Sequence, residues 1–470
     1  MVVQLSSLPV ALALPTLAEY FDTGIEDVAW IVIIYLATLG SLVLLMARLG
    51  DRYGHSRVFF AGIVIATLGS FFLTISQDLW HLIVLRAVTG AGSAMIMGSA
   101  NAILAVAFPP EERGRAFAIP IIGARFGTLT GLVLFGVLLH FLGWRLLFVS
   151  FVPLGIISMF AALPLLKHAR RADAAGTQGT IDWVGATLLF AAAVTLVLSG
   201  SHLHPGEESF TSSDALSYHI PMHAAFLLLL VGFIVVERQV SNPVVELRQF
   251  RDRTFSLSLV SNTIYHGSML GTMTLIPILV EEGFGRPPIF VTAVLLPGQT
   301  LGLFMPMLAG WIYDKYRPRF LRLWCMLLIA GGFFILSRGA TEVSFWVLPL
   351  IMVPIAIGTN MFNPINNATI MNSLPLKHRG LASGMLETSR ELGHALGATG
   401  AATLLGLAIP LGVEALPFEV ASGFFLEGFR ASTLTVVGML LVGALLVYLQ
   451  KEPVIDARAT AVGSKEDDQA

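Results

Sequence analysis

Charged residues and cysteine are both scarce in this sequence. Of its 470 residues, 28 are Lys or Arg and 30 are Asp or Glu, a charged fraction of 12%, about half that of a typical soluble domain. So few charges cannot cover a soluble surface, which argues against a cytosolic enzyme, a disordered scaffold and a nucleic-acid binder. The single cysteine, Cys325, permits neither an intrachain disulfide nor a thiolate metal cluster.

The motifs of nucleotide-driven and metal-dependent chemistry are missing as well. No Gly-x-x-x-x-Gly-Lys loop occurs, so the chain has no nucleotide motor of its own. Neither His-Glu-x-x-His nor His-x-x-x-His falls within the long apolar stretches described next, so we expect no metal site and no cofactor. A membrane-embedded enzyme is the rival class of protein. Substrate flux in proteoliposomes, compared with turnover in detergent, would separate an enzyme from a transporter.

What the chain has in excess is apolar length. Its hydrophobic fraction is 55% and its mean hydropathy is +0.79, whereas a helix needs only about 20 mostly apolar residues to cross a bilayer. The sequence therefore predicts an all-α membrane protein with about fourteen transmembrane helices. These spans 1 to 14 are 2–18, 28–47, 58–75, 82–107, 116–142, 146–166, 183–200, 222–236, 255–280, 289–311, 320–337, 344–371, 381–408 and 429–449.

The distribution of basic residues predicts the orientation. An even number of spans puts both termini on one side of the membrane, and the positive-inside rule assigns the basic side to the cytoplasm. Of the 28 Lys and Arg residues, twenty-one fall in segments on the side of the termini, three on the other side and four in or at the end of spans. We therefore expect a multi-pass protein of the cell (inner) membrane with both termini in the cytoplasm.

The two ends of the chain carry their own expectations. No Lys or Arg precedes Arg48, so span 1 lacks the basic region of a signal peptide. We expect that the given start omits part of helix 1, the alternative being a natively short first helix. The polar tail 451–470 is expected to be disordered and cytoplasmic.

Two parts of the sequence repeat each other at a fixed distance. The pair Arg113-Gly114 recurs 266 residues later as Arg379-Gly380. At the same offset Gly127 and Gly131 match Gly393 and Gly397, and an offset of 263 places Asp51-Arg52-Tyr53 over Asp314-Lys315-Tyr316. Each match joins segments eight spans apart.

The simplest explanation for matches eight spans apart is a pair of six-helix bundles separated by two inserted helices. Such parallel repeats describe secondary transporters whose substrate site lies between the halves. The 6+2+6 arrangement predicts an N-terminal bundle at 1–166, an insertion with a cytoplasmic linker at 167–254, and a C-terminal bundle at 255–450.

The loop between spans 2 and 3 carries the motif of a known family. Residues 47–57, ARLGDRYGHSR in one-letter code, resemble the G-x-L-a-D-r-x-G-r-k signature of the major facilitator superfamily, and residues 310–315, GWIYDK, resemble its second copy. Residues 86–94, RAVTGAGSA, resemble the family motif R-x-x-q-G-x-G-a-A. The resemblance covers residues 5–450 and implies the major facilitator fold.

Within that superfamily the chain resembles the fourteen-helix drug:proton antiporter branch. The shared features are the number of spans, Ala13-Leu14-Pro15, Trp30 with Tyr35, and Gly143-Trp144-Arg145. The branch's helix-5 motif g-x-x-x-G-P-x-x-G-G is kept only in part, because Thr128 and Leu132 replace its proline and last glycine. Ser6 stands where the branch usually has an aspartate in helix 1.

The repeated loops are the candidate cytoplasmic gate. Gly50 and Gly54 permit a tight turn, and Asp51 can accept hydrogen bonds at the N-terminus of a neighbouring helix. Such a contact would latch the cytoplasmic side in the outward-open state, whereas the alternative is a basic anchor with a turn. The candidate gate residues are Gly50, Asp51, Arg52, Gly54, Arg57, Asp314 and Lys315.

Ionisable residues inside spans are costly and therefore mark candidates for proton coupling. Arg86 is either a cavity-facing group, which the resemblance ties to proton transfer, or a snorkelling residue near a helix end. On span 13, a self-neutralising pair of Glu387 and Arg390 is the alternative to a functional cluster. The candidates are Arg86, Arg125, Glu387, Arg390, Glu391 and His394.

Polar side chains on spans 2, 4, 9 and 12 are candidates for a substrate cavity. Amides beside aromatic rings suit a weakly polar pocket, although hydrogen bonding between helices explains any single Asn equally simply. These candidates are Tyr35, Asn101, Asn262, Tyr265, His266, Asn360 and Asn363. Glycines at helical spacing predict packing seams on which the bundles rock, at Gly123, Gly127, Gly131, Gly393 and Gly397.

These features predict a secondary active transporter that exports amphipathic organic compounds in exchange for protons, by alternating access. The alternative is an exporter or facilitator of one metabolite, siderophore or lipid, with different or no proton coupling. The expected partners are a small-molecule substrate, protons and the lipid bilayer, but no nucleic acid. A periplasmic adaptor would be a further partner if the host has an outer membrane.

Overall fold

The computed structural model describes most of the chain. The described residues are 10, 13–23, 25–172, 182–199, 213–241, 243–287, 289–342, 344–375, 378–408 and 417–450. Most of span 1, the segment 201–212 and the tail 451–470 lie outside the described residues. The expectations about the start of helix 1 and the disorder of the tail concern those parts and stay predictions.

In the described part of the chain, helices cover the predicted spans 2 to 14 and the end of span 1, and we number them accordingly. They are α1 (Leu14–Phe21), α2 (Ile25–Tyr53), α3 (His55–Thr74), α4 (Leu79–Ala107), α5 (Arg113–Leu142), α6 (Arg145–Val149 continued by Phe151–Ala172), α7 (Trp183–Ser199), α8 (Ser213–Glu237), α9 (Arg253–Ile278), α10a (Ile289–Leu301), α10b (Met305–Tyr316), α11 (Leu321–Glu342), α12 (Leu348–Ser373), α13 (Arg379–Ala408) and α14 (Phe418–Tyr448). Short turns of other helix types cover Leu247–Arg251, Leu279–Gly283 and Phe345–Val347.

Among the described residues, ten helices are long and apolar enough to cross a membrane. The helix of span 7 has a shorter apolar stretch, Trp183–Leu196. The all-helical class predicted from composition is therefore confirmed. The count of fourteen membrane crossings and the 6+2+6 arrangement stay predictions.

Two predicted helix starts are wrong. Helix α8 begins at Ser213 rather than at 222, and α14 begins at Phe418 rather than at 429. The added turns contain polar residues such as Glu419, which a hydropathy count assigns to a loop although their backbones can still complete helical hydrogen bonds. The extension also brings His219 and His223, four residues apart, onto one helix, whereas only His223 falls within the predicted span.

Span 10 is broken into two helices. Pro297 lies inside α10a, where its missing N–H removes a helical hydrogen bond. Pro306 lies in the first turn of α10b, where that donor is not needed. The interruption between them places Gly302 beside the side chain of Arg125 on α5.

Apolar clusters show where the two halves of the chain meet. One cluster draws only on residues between Tyr265 and Val447, and another only on residues between Val10 and Phe151. A third joins both halves with α7 and α8, through residues such as Leu44, Phe233 and Leu381. Helix pairing agrees with this, since α2 packs on α13, α5 packs on α10b, and α7 packs on α8 and α2.

The third cluster lies near one end of the bundle. That end carries the α2–α3 loop, and we call it the basic end. Arg48, at the end of α2, contacts Glu246 of the linker after α8 at 3.5 Å. At the opposite end, Arg145 donates a hydrogen bond to the Tyr20 hydroxyl at 3.0 Å and lies 4.3 Å from the centre of the Trp144 ring. The halves thus share an apolar core near the basic end.

Candidate functional site: a double latch and a charged cluster between the halves

At the basic end, Asp314 of α10b binds the first turn of α5. Its carboxylate accepts hydrogen bonds from the backbone N–H of Gly114 at 2.9 Å and of Arg115 at 3.0 Å. A helix N-terminus favours a carboxylate, because unpaired N–H groups and the helix dipole point at it. Gly114 and Gly310 approach so closely that a Cβ atom on either would contact the backbone of the other. This contact joins the two halves of the chain.

Asp51, the equivalent of Asp314 in the other copy of the repeat, makes a similar contact with α13. Its carboxylate lies against Gly380 in the first turn of α13, where any side chain at residue 380 would overlap the carboxylate. Asp51 also accepts a hydrogen bond from His55 at 3.1 Å and lies 3.5 Å from Arg48. Asp51 thus lies at the first turn of α13 as Asp314 lies at that of α5, although among the described contacts only Asp314 accepts hydrogen bonds from backbone N–H groups of the helix it faces. We call the two contacts the double latch.

The other candidate gate residues divide into turn formers and anchors. Gly54 has φ of 98°, a backbone conformation that favours glycine. Arg52 stacks on Tyr53 and Lys315 stacks on Trp311, each within its own helix. Arg57 is exposed. Gly50 lies against the imidazole of His55. Within the described part of the chain, Arg52, Arg57 and Lys315 make no contact that joins the two halves. Their interpretation as basic anchors therefore fits better.

A cluster of four ionisable side chains lies on one face of α13. Arg390 forms an ion pair with Glu387, and its Nε lies 3.6 Å from Oε1 of Glu391. His394 lies 3.6 Å from Glu391. The self-neutralising pair is therefore present, but it does not account for the whole cluster, because Arg390 also contacts a second carboxylate.

Hydrogen bonds extend this cluster to α4 and α9. Asn101 of α4 donates to Glu387 at 2.6 Å, and His266 of α9 lies 3.2 Å from His394. Ser383, one turn before Glu387, donates to the carbonyl of Gly98 on α4 at 2.9 Å. A polar chain therefore runs from the N-terminal half through α13 to α9. We call it the α13 cluster.

Arg125 and Glu391, which the repeat makes equivalent, each pack on a glycine of the opposite half. A Cβ atom on Gly302 would lie 2.9 Å from Cγ of Arg125, and one on Gly40 would lie 3.5 Å from Cβ of Glu391. Arg125 is within electrostatic range of Tyr265 and His266. Among the described carboxylates, none lies within ion-pair distance of Arg125.

Arg86 is fully buried and does not snorkel to a helix end. Its Nε donates to the carbonyl of Ile31 at 2.9 Å, and its guanidinium lies 4.0 Å from the centre of the Tyr35 ring. The Tyr35 hydroxyl donates to Ser93 at 2.9 Å. Tyr35 is thus packed inside the N-terminal half in this conformation, and its assignment to a substrate cavity stays a prediction.

Most of the other cavity candidates prove to connect helices. Asn262 donates to Ser389 at 2.8 Å. Tyr265 donates to the carbonyl of Thr359 on α12 at 3.0 Å, and Asn360 donates to that of Gly298 on α10a at 3.3 Å. All three are buried, so the hydrogen-bonding alternative describes them in this conformation. Asn363 is only half-buried and remains a candidate, whereas Asn101 and His266 are buried and belong to the α13 cluster.

The glycine seams are only partly as expected. A Cβ atom on Gly393 or Gly397 would overlap the α9 backbone around Thr263 and Gly267. These glycines therefore join α13 to α9 within one half, rather than one half to the other. No described atom lies within 4 Å of a Cβ position on Gly123. Gly127 is buried, and the surroundings of Gly131 lie outside the described side chains.

Arg48 has a role that the sequence did not predict. By sequence it is only one of the basic residues on the side of the termini, yet its Nε donates to the carbonyl of Val244 at 2.5 Å and its other nitrogens contact Glu246 and Asp51. It therefore connects the linker after α8 with the double latch. No motif marks this role, because its partners in the linker lie about 200 residues away along the chain.

A bundle of apolar helices with repeated contacts between two halves has the architecture of a secondary transporter. Comparison with protein families agrees, since residues 1–398 match the model of the Major Facilitator Superfamily. The chain belongs to that superfamily. It is a multi-pass membrane transporter of small molecules and not an enzyme, as the sequence predicted.

Similar proteins include transporters of different substrates. The riboflavin transporter RibZ of Clostridioides difficile is 24% identical over 82% of this chain and 81% of its own. Multidrug resistance protein 3 of Bacillus subtilis is 26% identical over 80% of this chain and 72% of its own. The crystal structure of the human organic anion transporter TETRAN has a TM-score of 0.60 at 14% identity and covers 95% of this chain and 97% of that one. The last likeness concerns the fold alone.

Proposed function

We propose that this transporter exports amphipathic organic compounds in exchange for protons. The observation that carries the proposal is the α13 cluster, in which two carboxylates, an arginine and an imidazole lie on one helix between the halves and contact both of them. Ionisable groups at such depth mark proton or substrate pathways. The similarity to a multidrug resistance protein supports export of drug-like compounds.

Alternating access supplies the mechanism. Opening the basic end requires breaking the contacts of Asp314 with Gly114, of Asp51 with Gly380, and of Glu387 with Asn101. These contacts are short and local, so each half can move as one body while they break and form again. Glu391 lies beside this interface, and its exposure to water changes as the halves separate. A proton bound on one side would then be released on the other.

A transporter of one specific metabolite is the second candidate. The observation that favours it is the similarity to a riboflavin transporter, which aligns over nearly the same share of this chain as the multidrug protein. Riboflavin transport and drug transport would use the same gates, so the double latch does not separate them. The number of chemically different compounds that compete with one another for transport would separate the two candidates.

The proposed function is tested in everted membrane vesicles. We expect them to accumulate a lipophilic cationic dye when they are energised, and to lose it when a protonophore is added. Exchange of one proton for one monovalent cation moves no net charge, so a pH gradient of about 1.5 units supports a concentration ratio of roughly thirtyfold. Vesicles without the protein serve as the control. Dye accumulation that survives the protonophore would contradict proton coupling, whereas competition by a single metabolite and by no dye would favour the second candidate.

The orientation is part of the proposal, with the basic end in the cytoplasm of a cell whose inner membrane holds the transporter. We expect a single cysteine placed within 201–212, after Cys325→Ala, to react with an impermeant thiol reagent added to intact cells. This segment contains acidic residues and no Lys or Arg, as expected of an outer loop. A cysteine in place of Arg57 is the matched control, because it should react only after lysis. If residue 57 reacts in intact cells and the segment 201–212 only after lysis, the proposed orientation is wrong. That result would also argue against a periplasmic adaptor at the 201–212 loop.

A further inference from the structure

A cavity at the basic end is lined mainly by arginines. Its volume is about 520 Å³, and it lies where α8 ends and the linker turns. The lining residues are Ile234, Arg238, Leu247, Arg248 and Arg251. Three arginines thus line an open space together with two aliphatic residues.

Buried hydrogen bonds fold the linker into this shape. Both carboxylate oxygens of Glu237, the last residue of α8, accept from the backbone N–H groups of Val244 and Val245 at 3.1 Å. The linker therefore turns back on α8 before the helical turn Leu247–Arg251. Asp252 then caps α9 by accepting from the N–H of Phe255 at 2.7 Å. The arginines are consequently held by a folded segment rather than by a free loop.

The positive charge of the cavity has no counterpart in the described part of the chain. Arg238, Arg248 and Arg251 are exposed, and no described carboxylate lies within 4 Å of them. The acidic residue of the same linker, Glu246, is bound to Arg48 at 3.5 Å and His378 at 3.2 Å. Three converging cations without an acidic partner attract an anion.

The helix that leads into the cavity exposes an apolar face. On α8, Leu227, Leu228, Val231 and Val235 are all at least 49% exposed. In a multi-pass membrane protein such a face contacts lipid chains, and the arginines follow directly at its end. An occupant with an anionic head and apolar tails would match both surfaces.

We propose that this cavity binds the phosphate headgroup of an anionic phospholipid. The guanidinium groups would donate charge-assisted hydrogen bonds to the phosphate, which arginine forks fit well. Ile234 and Leu247 would contact the first carbons of the acyl chains, and the exposed face of α8 would contact the rest. Basic pockets at the ends of membrane helices are suited to such headgroups.

The test measures lipid binding to the purified full-length transporter. Native mass spectrometry in detergent, with added phosphatidylglycerol or phosphatidylcholine, counts the lipids that stay bound. We expect one phosphatidylglycerol to bind more tightly than phosphatidylcholine. Arg248→Gln with Arg251→Gln should weaken this binding about thirtyfold, because each arginine near an anionic lipid contributes to the affinity.

The matched control removes two exposed arginines from another loop at the basic end, as Arg317→Gln with Arg319→Gln, and should bind like the wild type. Arg238→Gln alone is a second variant, expected to weaken binding several-fold if the double variant does not fold. Glycerol 3-phosphate is the soluble competitor and should not displace the lipid at equal concentration. Equal losses in test and control variants, equal retention of both lipids, or displacement by glycerol 3-phosphate would each overturn the proposal.

Discussion

Glu391→Gln is expected to abolish proton-driven accumulation of substrate while substrate binding and counterflow exchange continue. Glutamine keeps the shape and hydrogen-bonding capacity of the side chain but cannot take up or release a proton. Exchange of substrate for substrate needs only the movement of the loaded halves, whereas accumulation needs the proton. The energised concentration ratio should therefore fall from tens to about one.

Exposure and packing favour Glu391 as the carboxylate that carries the proton in the proposed exchange. Its side chain is 20% exposed and lies near His394, which is itself 32% exposed. It also packs on Gly40 of the opposite half, so its surroundings change when the halves separate. Ser6 replaces the aspartate usual in helix 1 of the branch, so proton coupling needs another titrating group.

Glu387→Gln is the matched control for this experiment. Both variants remove one carboxylate and leave Arg390 with the other, so the loss of charge is the same. The Glu387 side chain is only 4% exposed and is held by Asn101 and Arg390, which leaves it less able to exchange protons with water. We expect it to slow transport without ending accumulation.

Three outcomes of the pair would contradict the assignment. Normal accumulation by Glu391→Gln would make that carboxylate structural. Loss of accumulation in Glu387→Gln alone would assign the proton-carrying role to Glu387 instead. Failure of Glu391→Gln to insert or fold, measured by its amount in the membrane and by gel filtration, would mean that the charge stabilises the bundle instead.

Gly114→Ala is expected to reduce the transport rate by a factor of about five to a hundred without reducing the amount of protein in the membrane. A Cβ atom at this position would lie 2.6 Å from the Asp314 carboxylate and 2.7 Å from the carbonyl of Gly310. Overpacking of this kind costs about 1–3 kcal/mol. This overpacking destabilises only the conformation in which the basic end is closed. The transporter would therefore accumulate in the conformation with that end open.

Gly123→Ala is the control on the same helix, because no described atom lies within 4 Å of its Cβ position. Gly380→Ala repeats the test on the Asp51 side of the double latch and should also slow transport. A cysteine introduced on the α10b face of α5 should become more reactive in Gly114→Ala than in Gly123→Ala. Equal transport rates in the two variants would show that the contact between α5 and α10b is not remade during the cycle.

The sequence alone predicted the helices, the family and the acidic residues of the double latch. Apolar length and the motif around Asp51 are local features, so they can be seen without knowing which segments meet. The starts of α8 and α14 could not be found in this way, because hydropathy measures the apolar part of a helix and not its hydrogen-bonded ends. The repeat also indicated that Asp314 would act like Asp51, and the contacts of Asp314 with Gly114 and Arg115 have the geometry expected of such a latch.

Only the tertiary structure decided which groups face each other. Spacing showed that Gly393 and Gly397 form a groove, but packing determined that α9 fills it. The contact between Asn101 and Glu387 and the position of Arg48 between the linker and Asp51 join residues that are far apart in the chain. Hydropathy and helical periodicity depend on neighbours along the chain, whereas a helix's partner depends on how distant side chains fit together.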